Sequence, residues 1–182
     1  MHRPRDPRSA FVLRMATQLS FSGYPKSPTA FGGSVNAKKR KIARPLCVKR
    51  PLHVVLRAPK AKGQWDLLRR DNAKLLFLLL SRYAKQFDVR VYQFANVSNH
   101  CHFLVKAKTK EGFRNFLRAF AGQVAQRITK AGPGRPLKER FWELIAFTRI
   151  IEWGKAYTHA KNYLYKNILQ AVRSCTFVPL RD

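Results

Sequence analysis

The chain has 182 residues, with 37 Lys+Arg against 9 Asp+Glu and a formal net charge of +28. Hydrophobic residues make up 46% and aromatic residues 12%, which is enough for a core and excludes a wholly disordered chain. Self-repulsion at this charge calls for a polyanionic partner, either nucleic acid or an anionic membrane surface.

The membrane option is weak. The longest apolar run, Leu75 to Leu80, is far too short to span a bilayer, and no Lys-rich amphipathic helix offers a peripheral anchor. No continuous apolar stretch precedes a cleavage-like site near the start, so a secretory leader is not expected. The three cysteines, Cys47, Cys101 and Cys175, are scattered and form no CxxC pair. They support neither a zinc ribbon nor a disulfide framework, and a reducing, cytoplasmic setting is expected.

Residues 1–44 differ from the rest. They hold Pro4, Pro7, Pro25 and Pro28, the Gly32-Gly33 pair and the run Lys38-Lys39-Arg40-Lys41, with no sustained periodicity. They read as a flexible basic extension, with residues 45–182 as the folded domain. His53-Val54-Val55-Leu56-Arg57 then reads as a first strand, closed by Pro59 and Gly63. Leu67, Leu68, Leu75, Phe77, Leu78, Leu79 and Tyr83 recur at helical spacing through about Phe87, with Asp71 near the helix start. Val89 to Phe94 alternates as a second strand and His102 to Lys106 forms a third. The short polar turn between them, Asn96 to Asn99, implies an antiparallel hairpin.

Glu111 to about Lys130 is helical, with Phe113, Phe116, Leu117, Phe120, Val124 and Ile128 on the buried side. Ala131 to Pro136 must be a loop. Phe141 to Ile151 reads as a fourth strand and Trp153 to about Arg173 as a final long helix. The order β-α-β-β-α-β-α is a split βαβ pattern. It predicts an α+β, ferredoxin-like fold in which helices cover an antiparallel sheet and a long C-terminal helix follows.

Two histidines stand two residues apart in His100-Cys101-His102. On a strand, both imidazoles project from one face while Cys101 turns into the core. Paired imidazoles are a half-site for a divalent metal, although two histidines on a hairpin surface have the same pattern. On the last helix His159, Tyr163, Asn167 and Gln170 form one stripe. The adjoining stripe of Trp153, Tyr157, Ala160, Leu164, Ile168 and Ala171 is the packing face. Tyr163 at that boundary is a candidate nucleophile and Asn167 a candidate amide ligand. Tyr165 and Tyr157 are rivals, but the first lies on the opposite side of the helix and the second on its packing face.

The surplus cations follow the same elements. Lys106, Lys108 and Lys110 lie at the end of the histidine strand and just beyond it, and Arg114 and Arg118 lie a turn apart on the next helix. Arg127, Lys130, Arg135, Lys138 and Arg140 flank the Gly/Pro loop, of which Arg135, Lys138 and Arg140 are taken with the first five as candidates. All eight are candidate DNA-binding residues, with Phe141 and Trp142 as candidate stacking platforms for bases.

Asn99-His100-Cys101-His102-Phe103-Leu104 resembles the histidine–hydrophobic–histidine (HUH) motif of single-strand DNA endonucleases, and most closely that of REP-associated tyrosine transposases and their insertion-sequence relatives. Asn162-Tyr163-Leu164-Tyr165-Lys166-Asn167 is similar to the family's helix motif, and Leu52-His53-Val54 to its first strand. The likeness runs over about residues 45 to 178, with Ser98 and Ile168 where prolines are usual. The resemblance implies that His100, His102 and Asn167 hold Mg²⁺ or Mn²⁺ and that Tyr163 forms a 5′-phosphotyrosine link. It further implies single-stranded or hairpin DNA as partner, a homodimer, and a nucleoid-associated location in a bacterial cytoplasm. The competing reading is a non-catalytic basic nucleic-acid-binding protein, such as a decayed transposase.

Overall fold

The computed structural model describes residues 29–33, 43–143 and 145–176. Its elements, in chain order, are β1 (Ala30–Phe31), β2 (Leu52–Arg57), α1 (Arg70–Gln86), β3 (Val89–Val97), β4 (His100–Ala107), α2 (Lys110–Thr129), β5 (Phe147–Ile150) and α3 (Lys155–Thr176). The strands form one sheet in the order β1-β5-β2-β4-β3, with every neighbouring pair antiparallel. This is the expected split βαβ arrangement with helices packed on the sheet. No helix among the described residues is long and apolar enough to cross a membrane.

Local chemistry accounts for the boundaries. Asp71 in the first turn of α1 and Lys85 in its last complement the helix dipole. Asp88, at φ 52°, turns the chain from α1 into β3. The Thr109 hydroxyl accepts from the Gly112 N–H at 2.9 Å and caps α2, which ends at Lys130 in the left-handed region. Between β3 and β4 only Ser98 and Asn99 remain, and Ser98 takes φ 50° to make the reversal. The hairpin is therefore tighter than the four-residue turn expected from Asn96 to Asn99.

Strand alternation gives the sheet two unlike faces. Leu52, Val54 and Leu56 of β2 with Cys101, Phe103 and Val105 of β4 meet Leu76, Leu79 and Leu80 of α1 and Phe113, Phe116, Phe120 and Val124 of α2. This is the main core, and Phe103 packs edge-on to Phe120 at 5.2 Å between ring centres. The opposite face is a smaller core of Ala95, Leu104 and Ile151 against Ala160 and Leu164 of α3. A bulge at Tyr92 shifts the β3–β4 register, so Val91 and Phe94 both face the main core while Tyr92 packs against Tyr157 of α3 and Gln93 lies opposite Leu104 on the same face.

Three expectations change. The fourth strand is only Phe147–Ile150, not Phe141 to Ile151, because Phe141 is buried in the main core from a loop. Phe77 and Leu78, counted in the helical repeat, are exposed on α1; one face of that helix suffices for the core. The expected extension 1–44 lies largely outside the described residues, but Ala30–Phe31 within it pairs with β5 as an edge strand. Phe31 is buried there, and Arg44 clamps the same edge by donating to Ala146 O and Thr148 Oγ1, each at 2.8 Å.

Candidate active site

β4 carries His100, His102 and Leu104 on the face covered by α3, because Cys101, Phe103 and Val105 point into the main core. β2 lies beside β4 with His53 opposite Leu104 and Val55 opposite His102. His53 thus sits on the histidine face, diagonal to His102. The three imidazoles form a row: His53 Nε2 is 3.1 Å from His102 Nδ1, and the His102 and His100 rings are 4.8 Å apart. Helix α3 brings the Tyr163 ring edge-on to this row, 5.6 Å from His102 and 6.1 Å from His53.

The candidate nucleophile and both candidate metal-binding histidines therefore meet within one chain. Asn167 lies one turn on from Tyr163 and its amide donates to the Tyr163 carbonyl at 2.9 Å. It is 5% exposed, so it belongs to the packed face with Ala160, Leu164 and Ala171 rather than to an outer polar stripe. The helical angle drawn from Tyr163 alone placed it too far out. Tyr165 is exposed and Tyr157 packs against Tyr92, which separates both from the histidines. His159 is also exposed.

All three imidazoles are held neutral. Burial, aided by Arg149, pushes His53 down to about 4. Burial, aided by Arg57, takes His100 to about 4. Burial and the two neighbouring histidines hold His102 well below its ordinary value. Neutral imidazole is the form that binds metal. Burial raises the Tyr163 hydroxyl above its usual value, while a hydrogen bond from Asn167 acts the other way.

The donor set fits a cation in one respect and falls short in another. His102 Nε2 is buried without a hydrogen-bond partner among the described residues, which is what a ligand nitrogen aimed at an ion requires. His100 Nδ1 lies 2.7 Å from Asn99 Oδ1, an acceptor, which leaves the His100 Nε2 lone pair to face outward. Among the described residues, however, no group of three His, Cys, Asp or Glu side chains could hold a metal. The coordination sphere would have to be completed by the Asn167 amide oxygen, water or substrate phosphate.

The eight candidate DNA-binding residues separate by position. Lys106 shares the histidine face, with its ammonium over the Trp153 ring at 5.9 Å. Arg135, Lys138 and Arg140 line a cleft of about 320 Å³ with Lys60 and Trp65. The loop carrying Lys60 and Trp65 follows β2 beyond Arg57, whose register partner is His100, so the cleft opens at the histidine end of the sheet. Lys108 and Lys110 lie past the other end of β4. Arg114 and Arg118 are exposed on α2, which covers the face away from the histidines.

The stacking platforms expected at Phe141 and Trp142 are not free. Phe141 is 4% exposed, and Trp142 is packed on the main core with its indole N–H donating to Ala121 O at 2.9 Å. Sequence reasoning also left out His53, Arg57 and Arg149 as site residues. Their signal was present in the strand alternation of β2 and β5, but only the register shows which residues face the histidine pair.

A family model described as "Transposase IS200 like" matches residues 49–164, a span that holds His53, His100, His102 and Tyr163. The solved structure of a REP-associated tyrosine transposase bound to a REP hairpin aligns at 12% identity, over 72% of this chain and 73% of that one, with a TM-score of 0.51. A structure described as a transposase from Deinococcus radiodurans R1 aligns at 18% identity over 70% of this chain and 98% of that one, with a TM-score of 0.42. Comparison with curated proteins gave no match. The family match covers well over half of the 182 residues and takes in the histidine strand and the first half of α3 as far as Tyr163 and Leu164, ending before Asn167, so the chain belongs to the IS200-like transposase family.

Proposed function

We propose that this transposase is a divalent-metal-dependent endonuclease and strand transferase acting on single-stranded or hairpin DNA, with Tyr163 as nucleophile. The observation that carries the reading is the convergence of Tyr163 on the His100–His102 pair, at 5.6 Å between the Tyr163 and His102 rings. His100, His102 and the Asn167 amide oxygen would hold the ion. Imidazole ligands suit Mn²⁺ better than Mg²⁺, which prefers oxygen donors and keeps its water. Such an ion would supply Lewis-acid chemistry, polarising the scissile phosphate and offsetting charge that develops in the transition state.

The remaining work falls to the chain itself. Arg149 beside His53 and Arg57 beside His100 put positive charge next to the histidines, where a phosphate backbone would lie, although Arg57 also pairs with Glu143 at 3.4 Å. Tyr163 is half-buried with its ring edge-on to His102 and His53, which limits its rotamers beside the histidines. Attack forms a bond between the tyrosine oxygen and phosphorus as the bond from phosphorus to the 3′-oxygen breaks. The phenolic proton is released and the departing 3′-oxygen is protonated, which leaves a 5′-phosphotyrosine and a free 3′-OH. Attack by a 3′-OH on that link reverses the step and joins strands without another energy source. The basic cleft of Arg135, Lys138 and Arg140 would track the flanking strand. The bounds of the catalytic unit, about residues 45–182, belong to the same proposal.

The test is incubation of the full chain with a single-stranded hairpin DNA and Mn²⁺, with denaturing electrophoresis for a covalent adduct. Tyr163→Phe should abolish the adduct and His102→Ala should abolish it with DNA binding retained. An adduct that persists in Tyr163→Phe would remove Tyr163 from this role.

A further inference from the structure

The structure assigns His53 as a positioning residue for His102: it accepts a hydrogen bond from the His102 Nδ1–H and so turns the His102 Nε2 lone pair toward the site. The assignment deepens the proposed metal-dependent reading and rests on it for its functional consequence, although the hydrogen bond itself stands apart from any metal.

Three observations carry it. His53 Nε2 and His102 Nδ1 are 3.1 Å apart, in rings tilted by only 10° to each other, so the contact lies close to the plane of both imidazoles. Both residues are 3% exposed, so water does not compete for that hydrogen bond. The other nitrogen of His102, Nε2, is buried with no hydrogen-bond partner among the described residues.

Each tautomer leaves one buried N–H beyond the pair: His102 Nε2 if His53 is the donor, His53 Nδ1 if His102 is the donor, so the pair alone does not choose between them. A cation at the site makes the choice, because only with His102 as donor does Nε2 present a lone pair that a divalent cation satisfies. Metal-bound histidines as a rule donate their second nitrogen to a fixed acceptor, which sets ring orientation and ligand basicity. A neutral imidazole serves as that acceptor as well as a carbonyl does.

The placement is rigid. His53 lies on β2, a central strand flanked by β5 and β4, and its ring is wedged edge-on between Phe147 at 6.3 Å and Tyr163 at 6.1 Å. Because its Nε2 faces His102, it is poorly placed to act as a third ligand. It instead couples the tyrosine helix to the histidine strand through a single side chain.

The experiment uses the full chain and two variants. His53→Gln keeps an acceptor of similar reach, and His53→Leu fills the space without one. Mn²⁺ alone is titrated calorimetrically, and the His102 tautomer is read by ¹⁵N–¹H NMR of the metal-free protein. The wild type should show the Nδ1–H form. His53→Leu should weaken Mn²⁺ binding by about 10–100-fold, the usual loss for such a partner, and His53→Gln should recover most of it. Folded His53→Leu protein that binds Mn²⁺ as the wild type does would overturn the assignment, and so would an Nε2–H tautomer in the wild type. Should His53→Leu fail to fold, the wild-type tautomer and His53→Gln decide. If the wild type shows the Nδ1–H form yet binds no Mn²⁺, the metal reading fails while the hydrogen bond survives.

Discussion

Leu104 and Phe103 are neighbours in sequence on opposite faces of the sheet, and their substitution should produce different failures. Leu104 is fully buried in the small core that holds α3, with Ala95, Ile151, Ala160 and Leu164 as its buried companions. Leu104→Ala removes three carbons, about 2.4 kcal/mol at ~0.8 kcal/mol per methylene, and the residual cavity raises the cost to about 3–4 kcal/mol. That core is small, so the loss falls on the docking of α3 before it falls on the whole fold. Hydrogen exchange followed by mass spectrometry should therefore show α3 amides losing protection while α1 and α2 keep theirs. Adduct formation by Tyr163 should fall in parallel. Phe103→Ala, in the main core, should cost about 3–5 kcal/mol and lower protection throughout. Leu104→Ala with α3 protection unchanged, or lost only together with that of α1 and α2, would refute the view that the tyrosine helix is a separately held element.

Further expectations concern charge and local geometry. His53 has a folded value near 4 against an ordinary 6.5, so the unfolded chain takes up the proton first as pH falls. Its contribution is full above pH 6.5 and is lost toward pH 4, by about 3 kcal/mol at 1.36 kcal/mol per unit; because His100 and His102 lose stability over the same range, it is read as the part of the pH 7 to pH 4 loss in urea unfolding that His53→Gln removes, and an equal loss in both proteins would contradict it. Arg135→Ala with Lys138→Ala should reduce the salt slope of single-strand binding by about 1.4, at 0.7 per phosphate contact. Arg114→Ala with Arg118→Ala, on the far face, should leave the slope unchanged in the same fluorescence titration. Gly112→Ala places a Cβ 2.6 Å from Phe87 O, a backbone atom that cannot yield cheaply, and should lower the melting temperature by several degrees for a loss of about 2 kcal/mol.

Several features were legible because each depends on local rules. The period-2 alternation of Val89 to Phe94, the 3.6-residue repeat of Phe113, Phe116, Phe120 and Val124, and the Gly/Pro loop each announce their element. The histidine pair was legible for the same reason, since residues two apart on a strand share a face whatever the rest of the chain does. The errors have equally physical causes. Phe141 and Trp142 lie beside cations in sequence and read as an exposed platform, but burial is set by what packs opposite, and α2 was there to receive them. Ala30–Phe31 gave no sign of a strand because two residues carry no period; β5 provides its hydrogen bonds.

The sequence by itself determined the α+β order, the excess of positive charge and the pairing of His100 with His102 on one face. These follow from composition and from spacings shorter than one element. Only the tertiary structure decided that His53 stands behind His102, that α3 brings Tyr163 onto the same row, and that Arg135, Lys138 and Arg140 gather at that end while Arg114 and Arg118 do not. Those relations join residues tens of positions apart, and they are set by strand register and by which sheet face each helix covers. No single stretch of chain encodes either one; both follow from the joint burial of two apolar cores on one sheet.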